Sequence, residues 1–248
     1  MNKKNISIII TMAGLGSRFK NAGYYCPKYM IEVKGKTLFE WSMDSLLDFN
    51  PYVKRYVFVV RREDNSKKFI LEKCQKYNIN DVRIVEIDYL TDGQATTCML
   101  ALDECEDDSP ILIYNIDTYV EPFTIKYEDI SGDGHIPCFQ ADGNHWSFVK
   151  ADNDGDVIEV REKVRISNNC TLGAYYFSSV ALYRRLYNEY YQDSRNIEKN
   201  EKYIAPLYNY MIQLNMRVTF SVVDSKKVHV LGTPEELKQF ESQFSVDT

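Results

Sequence analysis

No stretch of this 248-residue chain approaches the roughly eighteen consecutive apolar residues that a membrane-spanning helix needs, and the densest runs, Ile6 to Met12 and Ile111 to Ile116, are strand-sized. No bilayer-crossing helix is expected. Paired metal-ligand spacing is missing too. The six cysteines (Cys26, Cys74, Cys98, Cys105, Cys138 and Cys170) include no C-x-x-C, which excludes a zinc ribbon and a compact disulfide framework and suits reduced thiols in a cytoplasm. The three histidines, His135, His145 and His229, have no metal spacing and read as structural. There is no internal repeat, low-complexity tract or linker. Nor is there an excess of positive charge: the net charge is −6, which argues against wholesale binding to nucleic acid or to an anionic membrane.

The residues that are present, 44% hydrophobic and 27% charged, are those of an ordinary globular protein with a sizeable core. Their charge is unevenly spread. Residues 1–36 carry seven basic side chains (Lys3, Lys4, Arg18, Lys20, Lys28, Lys34, Lys36) against Glu32 alone, giving +6 and leaving −12 for the remainder. A small anion is the guest this asymmetry suits. Lys3-Lys4 ahead of an apolar run has the outline of a secretory signal, but Gly14, Gly16, Arg18 and Lys20 break the run as a strand entering a loop would.

Periodicity predicts buried strands at Ile6 to Met12, Tyr56 to Arg61, Val82 to Ile87 and Ile111 to Ile116, alternating with helices over Leu38 to Phe49, Ser66 to Tyr77 and Gln94 to Asp103. Such alternation implies right-handed crossovers and an α/β, mostly parallel sheet with helices on both faces. After about residue 135 the pattern changes. Ile136 to Ala141, Ser147 to Lys150 and Val157 to Arg165 read as an inserted antiparallel piece, with a turn at Asp152-Asn153-Asp154-Gly155. Helices over Val180 to Tyr191 and Tyr203 to Leu214, strands at Arg217 to Val223 and Val228 to Leu231, and a last helix opened by a Thr233/Glu236 capping box complete the chain. The expectation is one domain spanning 1–248, with 1–134 as one part and 135–248 as the other.

The loop Ala13-Gly14-Leu15-Gly16-Ser17-Arg18-Phe19 follows the first strand, and so falls at the carboxyl edge of the sheet, where ligands bind. Glycines let backbone amides approach phosphate oxygens, and Arg18 adds a forked cation. A dinucleotide fingerprint needs a third glycine where Phe19 stands. A P-loop ending at Gly35-Lys36-Thr37 needs its first glycine where Met30 stands. Both fail on spacing.

What remains is a glycine loop followed by Pro27-Lys28 and then a short strand and Gly-Lys turn (Tyr29-Met30-Ile31-Glu32-Val33-Lys34-Gly35-Lys36). This combination resembles the sugar-phosphate nucleotidyltransferases, or nucleotide-sugar pyrophosphorylases. Gly93-Gln94-Ala95, Asn115-Ile116-Asp117, Val160-Arg161-Glu162-Lys163, Gly173-Ala174-Tyr175-Tyr176-Phe177 and Leu231-Gly232-Thr233-Pro234-Glu235 extend the resemblance over most of the chain in family order. The fold it implies is a Rossmann-like, GT-A-like nucleotidyltransferase fold whose antiparallel insertion binds the acceptor.

In that family a phosphate oxygen of the acceptor attacks the α-phosphorus of a nucleoside triphosphate, and pyrophosphate leaves. The attacking phosphate is already ionised near neutral pH, its second pKa being about 6, so no general base is required. The obstacle is repulsion between oxyanions, and cations must offset it. The resemblance assigns Arg18 and Lys28 to the phosphates as catalytic groups, and Met12, Ala13, Gly14, Leu15, Gly16, Gly93 and Gln94 to the nucleotide. It assigns Asp117, at the end of its strand, to Mg²⁺. Glu162, Lys163, Trp146 and Gly173 fall to the acceptor. A second metal aspartate is expected two residues before Gly232, where this chain has Val230; Asp224 is the substitute considered. Alternation over Ile158 to Ile166 places Glu162 on the apolar face with Val160 and Val164 and turns Lys163 away, a conflict that a bulge or twist must resolve.

The partners implied are a nucleoside triphosphate, pyrimidine by resemblance, and a small phosphorylated acceptor, most often a sugar phosphate for surface polysaccharide precursors. Assembly as a homo-oligomer is compatible with this. A CTP-dependent enzyme acting on phosphocholine-like or other phosphorylated non-sugars is an alternative. A glycosyltransferase is a second, since Asn115-Ile116-Asp117 is one substitution from Asp-x-Asp, and a nucleotide-binding regulatory domain without turnover is a third.

Overall fold

Five of the six residues of β1 (Ile6–Thr11) are buried, which only a strand covered on both faces allows. The computed structural model describes residues 5–243, so Lys3 and Lys4 lie outside the described residues. After β1 come α1 (Ser17–Asn21), a short antiparallel pair β2 (Glu32–Val33) and β3 (Lys36–Thr37), and α2 (Leu38–Asp44). Then follow β4 (Val53–Arg61), α3 (Lys67–Lys76), β5 (Val82–Ile87), α4 (Gln94–Met99), β6 (Ile111–Asn115) and β7 (Thr118–Val120). The second half contributes β8 (Gly134–Gln140), β9 (Ser147–Ala151), β10 (Val157–Glu162), β11 (Asn169–Thr171), β12 (Ala174–Phe177), α5 (Val180–Tyr190), α6 (Ala205–Gln213), β13 (Val218–Val222), β14 (Val228–Val230) and α7 (Pro234–Gln243).

Strands β6, β1, β4 and β5 are parallel neighbours, and β12, β8, β11, β9 and β10 continue the same sheet antiparallel beyond β6, with β13 parallel to β8. The antiparallel strands are thus an extension of the parallel core. Alternate residues of β1 feed different cores. Ile9 packs with Val57, Val59 and the inner faces of α4, α5 and α6, while Ile8 and Ile10 pack with Phe58, Val60 and α2 and α3. A third apolar cluster joins Phe19, Ile31 and Leu38 to Leu231, Leu237 and Phe240, fastening the end of the chain beside the glycine loop. No helix among the described residues is long and apolar enough to cross a membrane.

Several elements are shorter than their periodicity. The helix expected over Leu38 to Phe49 ends at Asp44 and passes into 3-10 turns over Leu47–Tyr52, where Pro51 cannot donate to a longer helix. The helix over Gln94 to Asp103 likewise ends at Met99. The alternation through Ile158 to Ile166 fails at both ends. A register shift between Val157 and Glu159 leaves Ile158 45% exposed, and the strand stops at Glu162, leaving Val164 56% exposed.

Candidate active site

The carboxyl ends of β1 and β6 open onto a cavity of about 870 Å³. Residues 11–20 and 25–29 form one wall, so Met12, Ala13, Gly14, Leu15, Gly16, Arg18 and Lys28 all face it. The Met12 amide donates to the Val59 carbonyl at 2.9 Å, and Phe19, buried in the third apolar cluster, anchors the far end of the loop. The opposite wall carries Gly93 and Gln94. Gly93 has φ +137°, and a Cβ there would lie 2.4 Å from the Lys202 carbonyl oxygen. The glycine is therefore demanded by the backbone of residue 202, which lies across it and accepts from the Ala95 amide at 3.0 Å. The Gln94 amide nitrogen donates to Thr11 Oγ1 at 3.1 Å and to Asn115 Oδ1, which commits it to bridging the ends of β1 and β6.

Asp117 lies just beyond β6, and its Oδ2 accepts from Lys28 Nζ at 2.9 Å. Burial alone would push the Asp117 carboxyl up. The Lys28 ammonium outweighs this and, with help from Arg18, holds it below the usual carboxylate range. Lys28 also sits over the Phe19 ring, 5.6 Å from its centroid, and its side chain is only 16% exposed, so the charge is fixed in place. The structure thus brings Arg18, Lys28 and Asp117 to one cleft.

A second cavity of about 270 Å³ adjoins the first and shares Arg18, Gln94, Asn115, Asp117 and Gly232 with it. Glu162, Trp146 and Gly173 line it. Glu162 accepts from the Ser147 hydroxyl, and Trp146 packs edge-on against Phe139 with centroids 5.2 Å apart. Gly173, at φ +76°, backs against Asn115: a Cβ there would lie 2.4 Å from Asn115 Nδ2. Lys163, unlike Glu162, Trp146 and Gly173, lines neither cavity; it resolves the conflict over its direction by leaving the strand. Its φ is +55°, its amide donates to the Trp146 carbonyl at 2.8 Å, and its Nζ lies 3.4 Å from Glu162 Oε1 and 3.1 Å from the Tyr203 hydroxyl. Partial burial would pull the Lys163 ammonium down, but Tyr203 and Glu162 more than reverse this and raise it.

Asp224 is a correction. Its side chain accepts from the Lys226 amide at 3.0 Å as the cap of a 3-10 turn, and it lines neither cavity. His145 packs tilted against Trp146, ring centroids 4.2 Å apart, in the wall of the smaller cavity. His135 and His229 line neither cavity. Sequence reasoning missed Ser147 and Tyr203, which carry no local motif, and Glu236, whose spacing from Thr233 announced only a helix cap.

No family model matches the chain, and no curated protein matches it. Among solved structures it is similar to the nucleoside-diphosphate-sugar pyrophosphorylase from Vibrio cholerae, at 36% identity over 95% of this chain and 100% of that one, with a TM-score of 0.89. The inositol-1-phosphate CTP transferase from T. maritima has 14% identity over 100% of this chain and 99% of that one, with a TM-score of 0.75. HddC from Yersinia pseudotuberculosis has 19% identity over 96% and 99%, with a TM-score of 0.65. These last two show the fold alone. Identity of 36% sustained along nearly the whole of both chains shows common descent as well as a shared fold, and this chain belongs to the nucleoside-diphosphate-sugar pyrophosphorylases, a family of nucleotidyltransferases.

Proposed function

We propose that the protein transfers a nucleoside monophosphate, pyrimidine in base, from its triphosphate to the phosphate of a sugar phosphate or similar small acceptor, releasing pyrophosphate and supplying precursors for surface polysaccharide. The observation that carries this reading is the shared wall. Two cavities, one of a size for a nucleotide and one smaller, meet at Arg18 and Asp117, so two phosphorylated ligands seated in them would present their phosphates to each other there.

The glycine loop receives the nucleotide, Arg18 steadies the triphosphate and the departing pyrophosphate, and Lys28 balances charge on the phosphates at the reacting centre. Leaving-group charge grows in the transition state, and a cation already fixed by Asp117 and Phe19 stabilises it without reorganising. Glu162 orients the acceptor through its hydroxyl or amine groups, and Lys163 holds the acceptor's charged end.

Among the described residues no group of three or more His, Cys, Asp or Glu side chains converges to hold a metal ion. A magnesium ion in this cleft would therefore complete its shell from phosphate oxygens and water, its ordinary habit in phosphoryl transfer, and the Asp117 carboxylate fits that role. When bound, it supplies Lewis-acid neutralisation of phosphate charge.

One observation favours a second acceptor class. Glu162 stands among Trp146, Tyr175 and Tyr203 in the smaller cavity, a carboxylate with aromatic faces that also suits a phosphorylated amino alcohol with CTP as donor. The test is pyrophosphate release with four nucleoside triphosphates, each against a panel of phosphorylated sugars, amino alcohols and amino acids, with magnesium. A pyrimidine triphosphate paired with one acceptor class is the expected outcome. Silence across the panel would leave a binding domain without turnover, and release of a nucleoside phosphate from a nucleotide-sugar would make the protein a glycosyltransferase.

A further inference from the structure

Two segments of this chain carry the same helix-opening pattern, and they end differently. At the start of α2 the Thr37 hydroxyl accepts from the Glu40 amide at 3.3 Å, while Glu40 Oε2 accepts from the Thr37 amide at 3.0 Å; each group satisfies the other. At the start of α7 the Thr233 hydroxyl accepts from the Glu236 amide at 3.1 Å, but Glu236 Oε2 is buried and makes no hydrogen bond. A side chain on the first turn of a helix leans back towards the helix start, and here that direction leads over Gly232 into the smaller cavity.

The neighbours of that oxygen are informative. A Cβ placed on Gly232 would lie 3.2 Å from Glu236 Oε2, 3.5 Å from Asp117 Oδ2 and 3.9 Å from Lys28 Nζ. Two carboxylate oxygens from distant parts of the chain thus face one small space that stays open because residue 232 has no side chain. Lys28 is hydrogen-bonded to Asp117, and a buried carboxylate oxygen with no partner is costly unless the site is built for a cation. The placement is held from behind. Leu231 and Leu237 are buried with Phe19 in one apolar cluster, and the Leu231 amide donates to the Asp117 carbonyl at 2.8 Å, tying the base of α7 to the Asp117 turn.

We propose that Glu236 is the second protein carboxylate of the divalent-cation site, its Oε2 facing Asp117 Oδ2 across the space that Gly232 leaves. The role that sequence reasoning sought in Asp224 falls to a residue twelve positions further on. Two carboxylates, with phosphate oxygens and water for the rest, are a sufficient protein contribution for magnesium. This inference rests on the nucleotidyl-transfer reading for the identity of the cation and of the phosphate that shares it.

The experiment is a Mn²⁺ titration of the full chain followed by the electron paramagnetic resonance signal of free Mn²⁺, alone and with inorganic pyrophosphate, which probes the site whatever the base. Glu236→Gln should weaken Mn²⁺ binding at least tenfold, as Asp117→Asn should. Because Glu236 Oε2 makes no hydrogen bond that the substitution could break, it should leave the metal-free melting temperature unchanged or higher. Val230, two residues before Gly232, lines the same cavity, so adding Val230→Asp to Glu236→Gln should restore affinity to within about threefold of the parent. Unchanged Mn²⁺ affinity in Glu236→Gln with a lowered melting temperature would overturn the proposal and leave Glu236 as a helix cap. The two readings fail separately. Normal turnover with Mn²⁺ binding indifferent to Glu236 sinks the ligand assignment alone, whereas the expected Mn²⁺ pattern with a silent substrate panel sinks the reaction alone.

Discussion

The two cavities are built by different means. The larger takes most of one wall from a nearly continuous run, residues 11–20 and 25–29, in which backbone, Arg18, Lys20 and the Lys28 ammonium fixed by Asp117 line the cavity. The smaller draws on β7, β9, β10 and β12, the start of α6, and the base of α7, and its polar side chains are held in place, Glu162 by Ser147 within the cavity and both Glu162 and Tyr203 by Lys163 from outside it. Triphosphate is a common ligand whose charge a loop and its cations can meet. An acceptor is particular, and selecting it takes polar groups placed from many elements. One wall can therefore meet any triphosphate, while the other has to be shaped to its substrate.

The sharpest way to break this contrast is at Lys28. If the larger cavity supplies the charge compensation for the chemical step, Lys28→Ala should lower kcat about 10³-fold, or ~4 kcal/mol, the scale of losing one fixed donor to developing charge. The KM of the acceptor should barely move. Steady-state pyrophosphate release checks this, and a loss below about tenfold would place the compensation elsewhere.

The antiparallel extension should also be the acid-sensitive half of the sheet. His135 on β8 is buried, with Nδ1 2.8 Å from Thr219 Oγ1 and Nε2 3.1 Å from Ser221 Oγ, and burial pulls its imidazole down to about 4. The unfolded chain takes up a proton near the ordinary value of about 6.5 while the folded chain does not. The stabilisation is therefore complete above about pH 6.5 and lost as the pH falls towards 4. Between pH 7 and pH 5 this costs about 2 kcal/mol in a urea denaturation curve. The parent chain should lose this stability and His135→Gln should not; equal losses in the two would refute burial as the cause.

The same contrast decides what the sequence made legible. The order of strands and helices is local information, carried by periodicity, and the glycine loop with Pro27-Lys28 is a short motif whose spacing reflects one loop wrapping one ligand. Arg18 and Asp117 could thus be brought to one edge from topology, and Lys28 from the family resemblance that its motif carries. Tyr203 and Ser147 could not, since their role exists only once β9 and the segment just before α6 meet around Glu162. The resemblance assigns Gly93 to the nucleotide, yet the neighbour that forbids its side chain is Lys202, more than a hundred residues away. Glu236 was visible and read for its local role, because the pattern that opens α2 at Thr37 is the same; only the third dimension separates a carboxylate that turns back to its own helix from one that turns outward.

The smallest effect is expected at Glu162, and it tests whether the cavities are separable. Glu162 lines the smaller cavity only, and its side chain is 10% exposed, held by the Ser147 hydroxyl and by Lys163. Glu162→Gln keeps the shape and the hydrogen bond from Ser147 but removes the charge that fixes Lys163 and that, in the proposed function, orients the acceptor. The KM of the acceptor should rise about tenfold, roughly 1.4 kcal/mol, while the KM of the nucleotide stays within about twofold. A parallel rise in both would mean that the shared wall at Arg18, Asn115 and Asp117 couples the cavities so tightly that charge lost on one side displaces the phosphates on the other. The division of labour between backbone loop and side-chain network would then be one of construction and not of function.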